Sequence, residues 1–171
     1  YDWYQNTPFD ITTTPIFAET KLYAHFGAKK YYINYVLNSQ NYIVSGITAN
    51  NSANQEYYTY SANGTVTLEN PSCDGLTFVG WYEDSAFTTP VTTLSTAIKE
   101  SQTVYAKWEL VSYPVEYTLN GGENNTQNIA NYNLTTNFTL LAPTTRKGYT
   151  FDGWYTDSNF QNQITAIVGT T

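Results

Sequence analysis

The stretch DGLTFVGWYEDSAF, residues 74–87, decides the architecture of this chain because it returns as KGYTFDGWYTDSNF at residues 147–160. A shorter relative, YDWYQNTPF, occupies residues 1–9. A tryptophan marks the same place in each copy: Trp3, Trp81 and Trp154. A motif that recurs along the chain in this way indicates an array of small units with the same fold. The 171-residue chain is therefore predicted to be a tandem repeat protein.

Two further motifs set the boundaries of the copies. KLYAHF at 21–26 matches TVYAKW at 103–108, and YINYVLN at 32–38 matches PVEYTLN at 114–120. We predict three units, of which the middle one is complete and the last has no counterpart of TVYAKW: 1–26 (the C-terminal part of a first repeat), 31–108 and 113–171. Because the chain opens inside a motif, we expect it to be a piece of a longer protein.

Alternation of apolar and polar residues predicts the main strands. YINYVLN places Ile33, Tyr35 and Leu37 on one face, and the matching face of the last repeat carries Val115, Tyr117 and Leu119. In TVYAKW the core face is predicted to carry Val104, Ala106 and Trp108, with Leu22, Ala24 and Phe26 as counterparts in the first copy. The ANG of EYYTYSANGTVTLEN, residues 56–70, predicts a hairpin or a bulged turn.

The Gly-Trp pair predicts a β-bulge. In a regular strand Phe151 and Tyr155 would share one face and Trp154 would lie on the other. A glycine inside a strand marks a bulge that can turn the tryptophan inward. We therefore favour core positions for Trp81 and Trp154, with an exposed aromatic platform for sugars or a partner protein as the alternative.

A short helix is predicted after this strand. Val91, Leu94 and Ile98 fall at i, i+3 and i+7, a helical spacing. The residues Asp84, Ser85, Asp157 and Ser158 would serve as N-caps or turn formers near its start. Pro15 lies in the equivalent stretch of the first copy and argues against a helix there. Each module is then an α+β fold, mostly β, with about four strands and one short helix.

Composition excludes several classes of function. A net charge of −7 argues against nucleic-acid binding, which needs clustered Lys and Arg. One cysteine, Cys73, and one histidine, His25, cannot form an internal disulfide or a Cys/His zinc site. No apolar run reaches the roughly 18 residues of a membrane span.

No reactive residue repeats. Asp84 and Asp157 match, but the first copy has Asn6, which cannot act as a general acid or base. His25 aligns with Lys107 on the polar face of the final strand. We expect no catalytic residue, no cofactor-binding residue, no metal site and no enzymatic activity.

YTLNGG at 117–122, followed by KGYTFDGWYTDSNF and, in the complete copy, VYAKW at 104–108, resembles the Listeria–Bacteroides repeat, the B repeat of internalin-type surface proteins. The resemblance implies a small β-grasp-like, ubiquitin-like fold in an extracellular protein of the bacterial surface or cell wall. Asp2 replaces the glycine of GWY in the first copy, and YVLNSQ at 35–40 replaces the LNGG pattern in the middle one.

The residues that define the repeat are aromatic, glycine and leucine positions with expected structural roles. They are Trp3, Tyr23, Tyr35, Leu37, Phe78, Gly80, Trp81, Tyr105, Trp108, Tyr117, Leu119, Gly148, Phe151, Gly153 and Trp154.

Three functions stay open at this point. The first is a non-enzymatic spacer or stalk of a surface protein, with a possible part in adhesion, whose partners are the neighbouring repeats. The second is binding of a glycan or host protein by off-core aromatics: Tyr57, Tyr58, Tyr82, Tyr105 and Tyr155. The third is a head-to-tail filament in which KLYAHF of one chain completes the last repeat of another.

Overall fold

The computed structural model describes residues 2–5, 7–8, 21 and 23–169, and every regular element in these ranges is a β-strand. In chain order the strands are β1 (Asp2–Gln5), β2 (Thr7–Pro8), β3 (Tyr23–His25), β4 (Lys30–Val36), β5 (Tyr57–Thr59), β6 (Thr65–Thr67), β7 (Leu76–Tyr82), β8 (Pro90–Val91), β9 (Thr93–Ser95), β10 (Gln102–Leu110), β11 (Tyr113–Pro114), β12 (Asn131–Tyr132), β13 (Asn137–Thr139), β14 (Trp154–Tyr155), β15 (Gln163–Ile164) and β16 (Ala166–Val168). Because these residues include no helix, they include none that could cross a membrane.

The complete repeat is built on a five-stranded mixed sheet with the strand order β5-β4-β10-β7-β8. Its first and last long strands, β4 and β10, run parallel at the centre, with Val104 opposite Tyr35. β7 pairs antiparallel with the other edge of β10. The short strands β6 and β9 form a separate ladder in which Val66 faces Leu94, and both side chains are buried in the same core.

The central strand β10 supplies the most deeply buried side chains. Val104 and Ala106 are fully buried and Trp108 is 2% exposed, which confirms the predicted core face of TVYAKW. Ile33 of β4 is buried too, and Tyr35 and Leu37 pack against the core. β10 thus lies at the centre of the sheet, and every second residue from Val104 to Trp108 faces the core.

A bulge brings Phe78 and Trp81 to the same face of β7. Lys107 lies opposite Gly80 and Trp108 opposite Phe78, so the register slips by one residue between them. The two aromatic rings are 5.4 Å apart, and Trp81 is 3% exposed. The predicted bulge and the predicted core position of Trp81 are confirmed. Without the slip, residues three apart would point to opposite faces of the sheet.

The predicted α+β, β-grasp-like fold with one short helix per repeat is wrong, because the described residues contain no helix. The proposed helical segment instead forms β8 and β9. Val91 lies opposite Trp81 and Leu94 opposite Val66, in two different ladders. A step at Thr92, whose carbonyl accepts the Leu68 N–H at 2.9 Å, lets the strands point both apolar residues inward. The same i, i+3 spacing is thereby met without a helix, and Thr-rich sequence favours strands.

The ANG segment also differs from a hairpin. Gly64 N donates to Ser61 O at 3.3 Å, so a turn forms as predicted. The strands on either side do not pair with each other, because β5 pairs with β4 and β6 pairs with β9. The turn therefore carries the chain from the five-stranded sheet to the small ladder.

The last repeat reproduces three of the strand pairings of the complete one. Trp154 lies opposite Ile164 as Trp81 lies opposite Val91, and Phe138 lies opposite Ile167 as Val66 lies opposite Leu94. Tyr113 lies opposite Tyr132 as Tyr31 lies opposite Tyr58. The N-terminal tail repeats the β7–β10 register, with Trp3 opposite Ala24 as Trp81 is opposite Ala106. Predictions concerning Asn6, Pro15 and Leu22 lie outside the described residues.

Candidate functional site

The matched carboxylates Asp84 and Asp157 organise one loop in each repeat. Asp84 accepts hydrogen bonds from the backbone N–H groups of Ala86 and Thr89, both at 2.9 Å, and from the backbone and hydroxyl of Thr88. Each loop places a phenylalanine at positive φ, Phe87 at 58° and Phe160 at 55°. The predicted turn-forming role of both aspartates is confirmed, although no helix follows them.

These hydrogen bonds also fix the charge state of the carboxylates. Desolvation of Asp84 acts to raise its pKa, but the hydrogen bonds from Thr89, Thr88 and Ala86 together hold the pKa below its ordinary value. Backbone N–H groups of Gln161 and Asn162 likewise lower the pKa of Asp157. A carboxylate whose oxygens already accept several bonds stays ionised at neutral pH and is poorly suited to proton transfer.

A second set of hydrogen bonds found in both repeats joins a tryptophan and an asparagine to the same backbone residue. The Trp81 indole N–H donates to the Glu69 carbonyl at 2.9 Å, and the Asn54 side chain bonds both the carbonyl and the N–H of Glu69 at 2.8 Å. Sequence reasoning missed this contact. The available signal was an asparagine preceded three or four residues earlier by a second asparagine, as in Asn51 and Asn54.

The last repeat holds the same arrangement around Leu141. Trp154 donates to the Leu141 carbonyl at 3.0 Å, and Asn128 bonds the carbonyl at 3.0 Å and the N–H at 2.9 Å. The Asn128 amide also donates to Asn124. The hydrogen bonds that join the asparagine and the tryptophan through one backbone residue are thus the same in both modules.

The five tyrosines predicted to face a ligand do not form one cluster. Tyr58 is 3% exposed and its hydroxyl donates to the Glu100 carbonyl at 2.6 Å, so it lies in the core. Tyr57 lies on the outer face of the sheet, edge-on to Tyr32, with the Lys30 ammonium 3.9 Å from its ring centroid.

Tyr82 and Tyr105 lie opposite each other across β7 and β10. Phe87 packs edge-on against Tyr82, and the Lys107 ammonium lies 5.5 Å from the Tyr82 ring centroid. Each of these side chains is half-buried. Two of the predicted tyrosines therefore meet here, on a small aromatic patch that also carries a cation.

Tyr155 lies in the last repeat and repeats the environment of Tyr82, with Phe160 edge-on at 5.4 Å. Its hydroxyl donates to an Asp152 carboxylate oxygen at 3.1 Å. That hydrogen bond raises the pKa of the Tyr155 phenol. Among the described residues there is no group of three or more His, Cys, Asp or Glu side chains that could hold a metal ion.

A groove of about 1220 Å³ lies along the last repeat between residues 116–122 and residues 143–157. These segments match β4 and β7, the two neighbours of β10 in the complete repeat. Apolar side chains at its floor include Leu119, Phe151, Trp154 and Ile164. Phe151 is 43% exposed, whereas its counterpart Phe78 packs into the core against Trp108. The segments that line the groove therefore match the two strands that flank β10 in the complete repeat.

Comparisons with known proteins agree with this architecture. The family model of the Listeria-Bacteroides repeat domain matches residues 31–107 and 113–171. A protein of Evansella cellulosilytica named "Putative membrane protein" is 37% identical over 87 residues, which is 51% of this chain and 13% of that protein. A second, named "Putative Gly-rich membrane protein", from the same organism is 33% identical over 87 residues, 51% of this chain and 10% of that protein.

The chain thus spans only about a tenth of the length of these relatives. No solved structure matches it. The family match covers well over half of the sequence and contains both copies of the Gly-Trp motif. This chain belongs to the Listeria-Bacteroides repeat family.

Proposed function

We propose that the chain is a non-enzymatic, extracellular part of a bacterial surface protein in which successive repeats act as a spacer or stalk and contribute to adhesion. Its family and the names of its relatives support a place at the cell surface. A spacer requires stable folded units of constant size, and it does not require a reactive residue that recurs in every repeat.

One observation carries the proposal: the polar side chains and tryptophans that repeat between the two described modules are used within the fold. Asp84 accepts the hydrogen bonds of its loop, Asn54 bonds the backbone of Glu69 after β6, and Trp81 fills the core while donating to the Glu69 carbonyl. Their counterparts in the last repeat make the same contacts. Repetition of core and loop chemistry is typical of a bead-like or solenoid-like scaffold.

The test is replacement of residues 31–110 in the surface protein that contains them by an unrelated folded module of similar span. The spacer function predicts that the distal part of the protein keeps its activity and its distance from the cell. A matched control deletes the module and should shorten the projection. Loss of activity in the replaced protein, with the projection preserved, would show that the repeat itself binds a ligand.

A second candidate, head-to-tail self-association, is favoured by the groove of the last repeat. The β10 position takes a strand that alternates apolar residues, and the chain carries a second strand of that type at residues 21–26. In strand addition, this strand of a second copy leaves its pairing with β1 and enters between the two segments that line the groove. Tyr23 in that strand is 68% exposed.

Light scattering across a wide concentration range tests the association. Strand addition predicts growth into long species that is abolished by Ala24→Arg, because the matching residue Ala106 is fully buried. The control Tyr23→Arg should associate normally, since its counterpart Tyr105 lies on the outer face of the sheet. A monomer at every concentration excludes this mode of assembly.

No specific observation favours ligand binding over these two functions. An aromatic platform for a glycan would need three or more of the predicted tyrosines on one patch, and only Tyr82 and Tyr105 meet.

A further inference from the structure

The complete repeat and the last repeat are joined by a very short connection. β10 ends at Leu110 and β11 begins at Tyr113, which leaves Val111 and Ser112 between them. The Val111 N–H donates to the Gly75 carbonyl at 3.0 Å. The connection is therefore tied to the turn that leads into β7, instead of running free between two beads.

Gly75 in that turn leaves its backbone open to close contact with a neighbouring side chain. Leu76 N donates to Cys73 O at 3.2 Å, and Gly75 adopts a φ of +73°, a conformation that favours glycine. A Cβ atom on Gly75 would lie 2.6 to 2.9 Å from the Cγ and both methyl carbons of Leu134. The leucine of the last repeat therefore packs directly on the backbone of the complete repeat.

In the last repeat this leucine lies in a hydrogen-bonded turn. Thr136 N donates to Asn133 O at 3.0 Å, and the Asn133 side chain accepts bonds from the Thr135 N–H and hydroxyl at 3.0 and 2.8 Å. The Thr136 carbonyl accepts the Gly169 N–H at 2.8 Å. The backbone on either side of Leu134 is thus hydrogen-bonded within its own repeat.

The burial of Leu134 shows how much this contact contributes. Leu134 is 8% exposed and belongs to the same hydrophobic cluster as the core of the complete repeat. In the described part of the last repeat it is the one hydrophobic side chain that is buried, since Trp154, Leu119 and Phe138 are all partly exposed. The Gly75 turn of the preceding repeat lies directly against this side chain.

We propose that Gly75 and Leu134 form a joint between neighbouring repeats that fixes their relative orientation. Modules linked by a short connection without a packed interface move independently by default, so a buried side chain across the junction changes the behaviour of the array. The joint rests on the proposed spacer function for its biological use: it makes the stalk stiff. Its partner surface is the glycine turn of the preceding module.

The chain supplies a matched control for the joint. Gly148 occupies the same place in the last repeat, in a turn closed by Tyr149 N and Arg146 O, with a φ of +81°. A Cβ atom there would meet nothing within 4 Å. Alanine therefore introduces the same backbone strain at Gly75 and Gly148, but it collides with a neighbouring repeat only at Gly75.

Residual dipolar couplings of the whole chain test the proposal. In the wild type, couplings from residues 31–110 and 113–169 should fit one common alignment tensor. Gly75→Ala and Leu134→Ala should each lose the common tensor while each repeat still fits a tensor of its own, and Gly148→Ala should keep it.

Three results would overturn the joint: separate tensors in the wild type, a common tensor in both Gly75→Ala and Leu134→Ala, or loss of the common tensor in Gly148→Ala to the same extent as in Gly75→Ala. Leu134→Ala leaves the Gly75 turn intact, so a folding defect caused by Gly75→Ala cannot hide the answer. Failure of the joint would leave the module-replacement result for the spacer function unaffected.

Discussion

Replacing Trp81 should cost far more stability than replacing Trp154, although both tryptophans make the same hydrogen bond. Trp81 is 3% exposed and contacts Tyr35 and Phe78 at ring distances of 5.3 and 5.4 Å. Burying an aromatic removes about 150–250 Å² from water, worth about 4–6 kcal/mol at ~25 cal/mol/Å². Measured Trp→Ala substitutions in cores cost about 3–5 kcal/mol, and we expect Trp81→Ala to lie at the upper end of that range.

Trp154 keeps the contacts with Tyr117 and Phe151, at 5.3 and 5.4 Å, but its repeat has no described counterpart of Trp108 behind Phe151. Part of its ring remains in contact with water in the folded state. We therefore expect Trp154→Ala to cost about 2–3 kcal/mol, because less apolar area is transferred from water.

Hydrogen exchange measured by mass spectrometry gives the stability of each repeat separately. A total stability of about 4–12 kcal/mol is ordinary for a domain of ~80 residues, so Trp81→Ala comes close to unfolding the repeat. The milder variants Trp81→Phe and Trp154→Phe keep the measurement in range. Both lose the same hydrogen bond, worth about 1 kcal/mol, but Trp81→Phe also leaves a cavity in the packed core and should therefore still cost more than Trp154→Phe. Equal losses at the two positions would refute the view that β10 closes the core over Trp81.

Three further results are expected. The pKa values of Asp84 and Asp157 are lowered in the folded state, so both carboxylates stabilise the fold above the ordinary carboxyl pKa of about 4. This stabilisation is lost as the pH falls below that value. Asp84→Asn should therefore make the free energy of unfolding depend less on pH in the acid range. Asn54→Ala removes three part-buried or exposed hydrogen bonds to Asn51 and Glu69 and should cost about 2 kcal/mol in urea unfolding, whereas a loss below about 0.5 kcal/mol would contradict the clamp. Tyr57→Ser, on the outer face, should cost only about 1 kcal/mol, the contribution of its contacts with Tyr32 and Lys30, and a loss of about 3 kcal/mol or more would place Tyr57 in the core.

The strands of the complete repeat could be predicted because their alternation is simple. In β10 every second residue from Val104 to Trp108 is apolar, and that face is buried. The bulge could be predicted from Gly80, because a glycine in the interior of an aromatic strand commonly marks a bulge. The different environments of Tyr57, on the outer face, and Tyr58, in the core, could also have been predicted, since adjacent residues of a strand face opposite sides of the sheet.

The helix prediction failed because one spacing fits two structures. Val91 and Leu94 are three residues apart, as in a helix, but a step between two short strands brings both inward. Only the ladders to Trp81 and Val66 decide between these possibilities, and those contacts come from distant parts of the chain.

The joint was not accessible from the sequence for a related reason. Leu134 stands in a polar segment, NLTTN at 133–137, and nothing local indicates that it is buried. Its partner is a glycine, which carries no side chain and gives no apolar signal. Contacts between modules of this kind become visible only when the turns of two repeats are placed side by side.

The height of a tag above the bacterial surface, measured in proteins that differ only in the number of these repeats, tests the spacer account most directly. A globular repeat of ~80 residues has a diameter of about 30 Å, so a stiff array should add roughly that length with each repeat. A linear increase of this size is predicted. Growth with the square root of repeat number would contradict the stiff joint, and a height that does not depend on repeat number would contradict the spacer function itself.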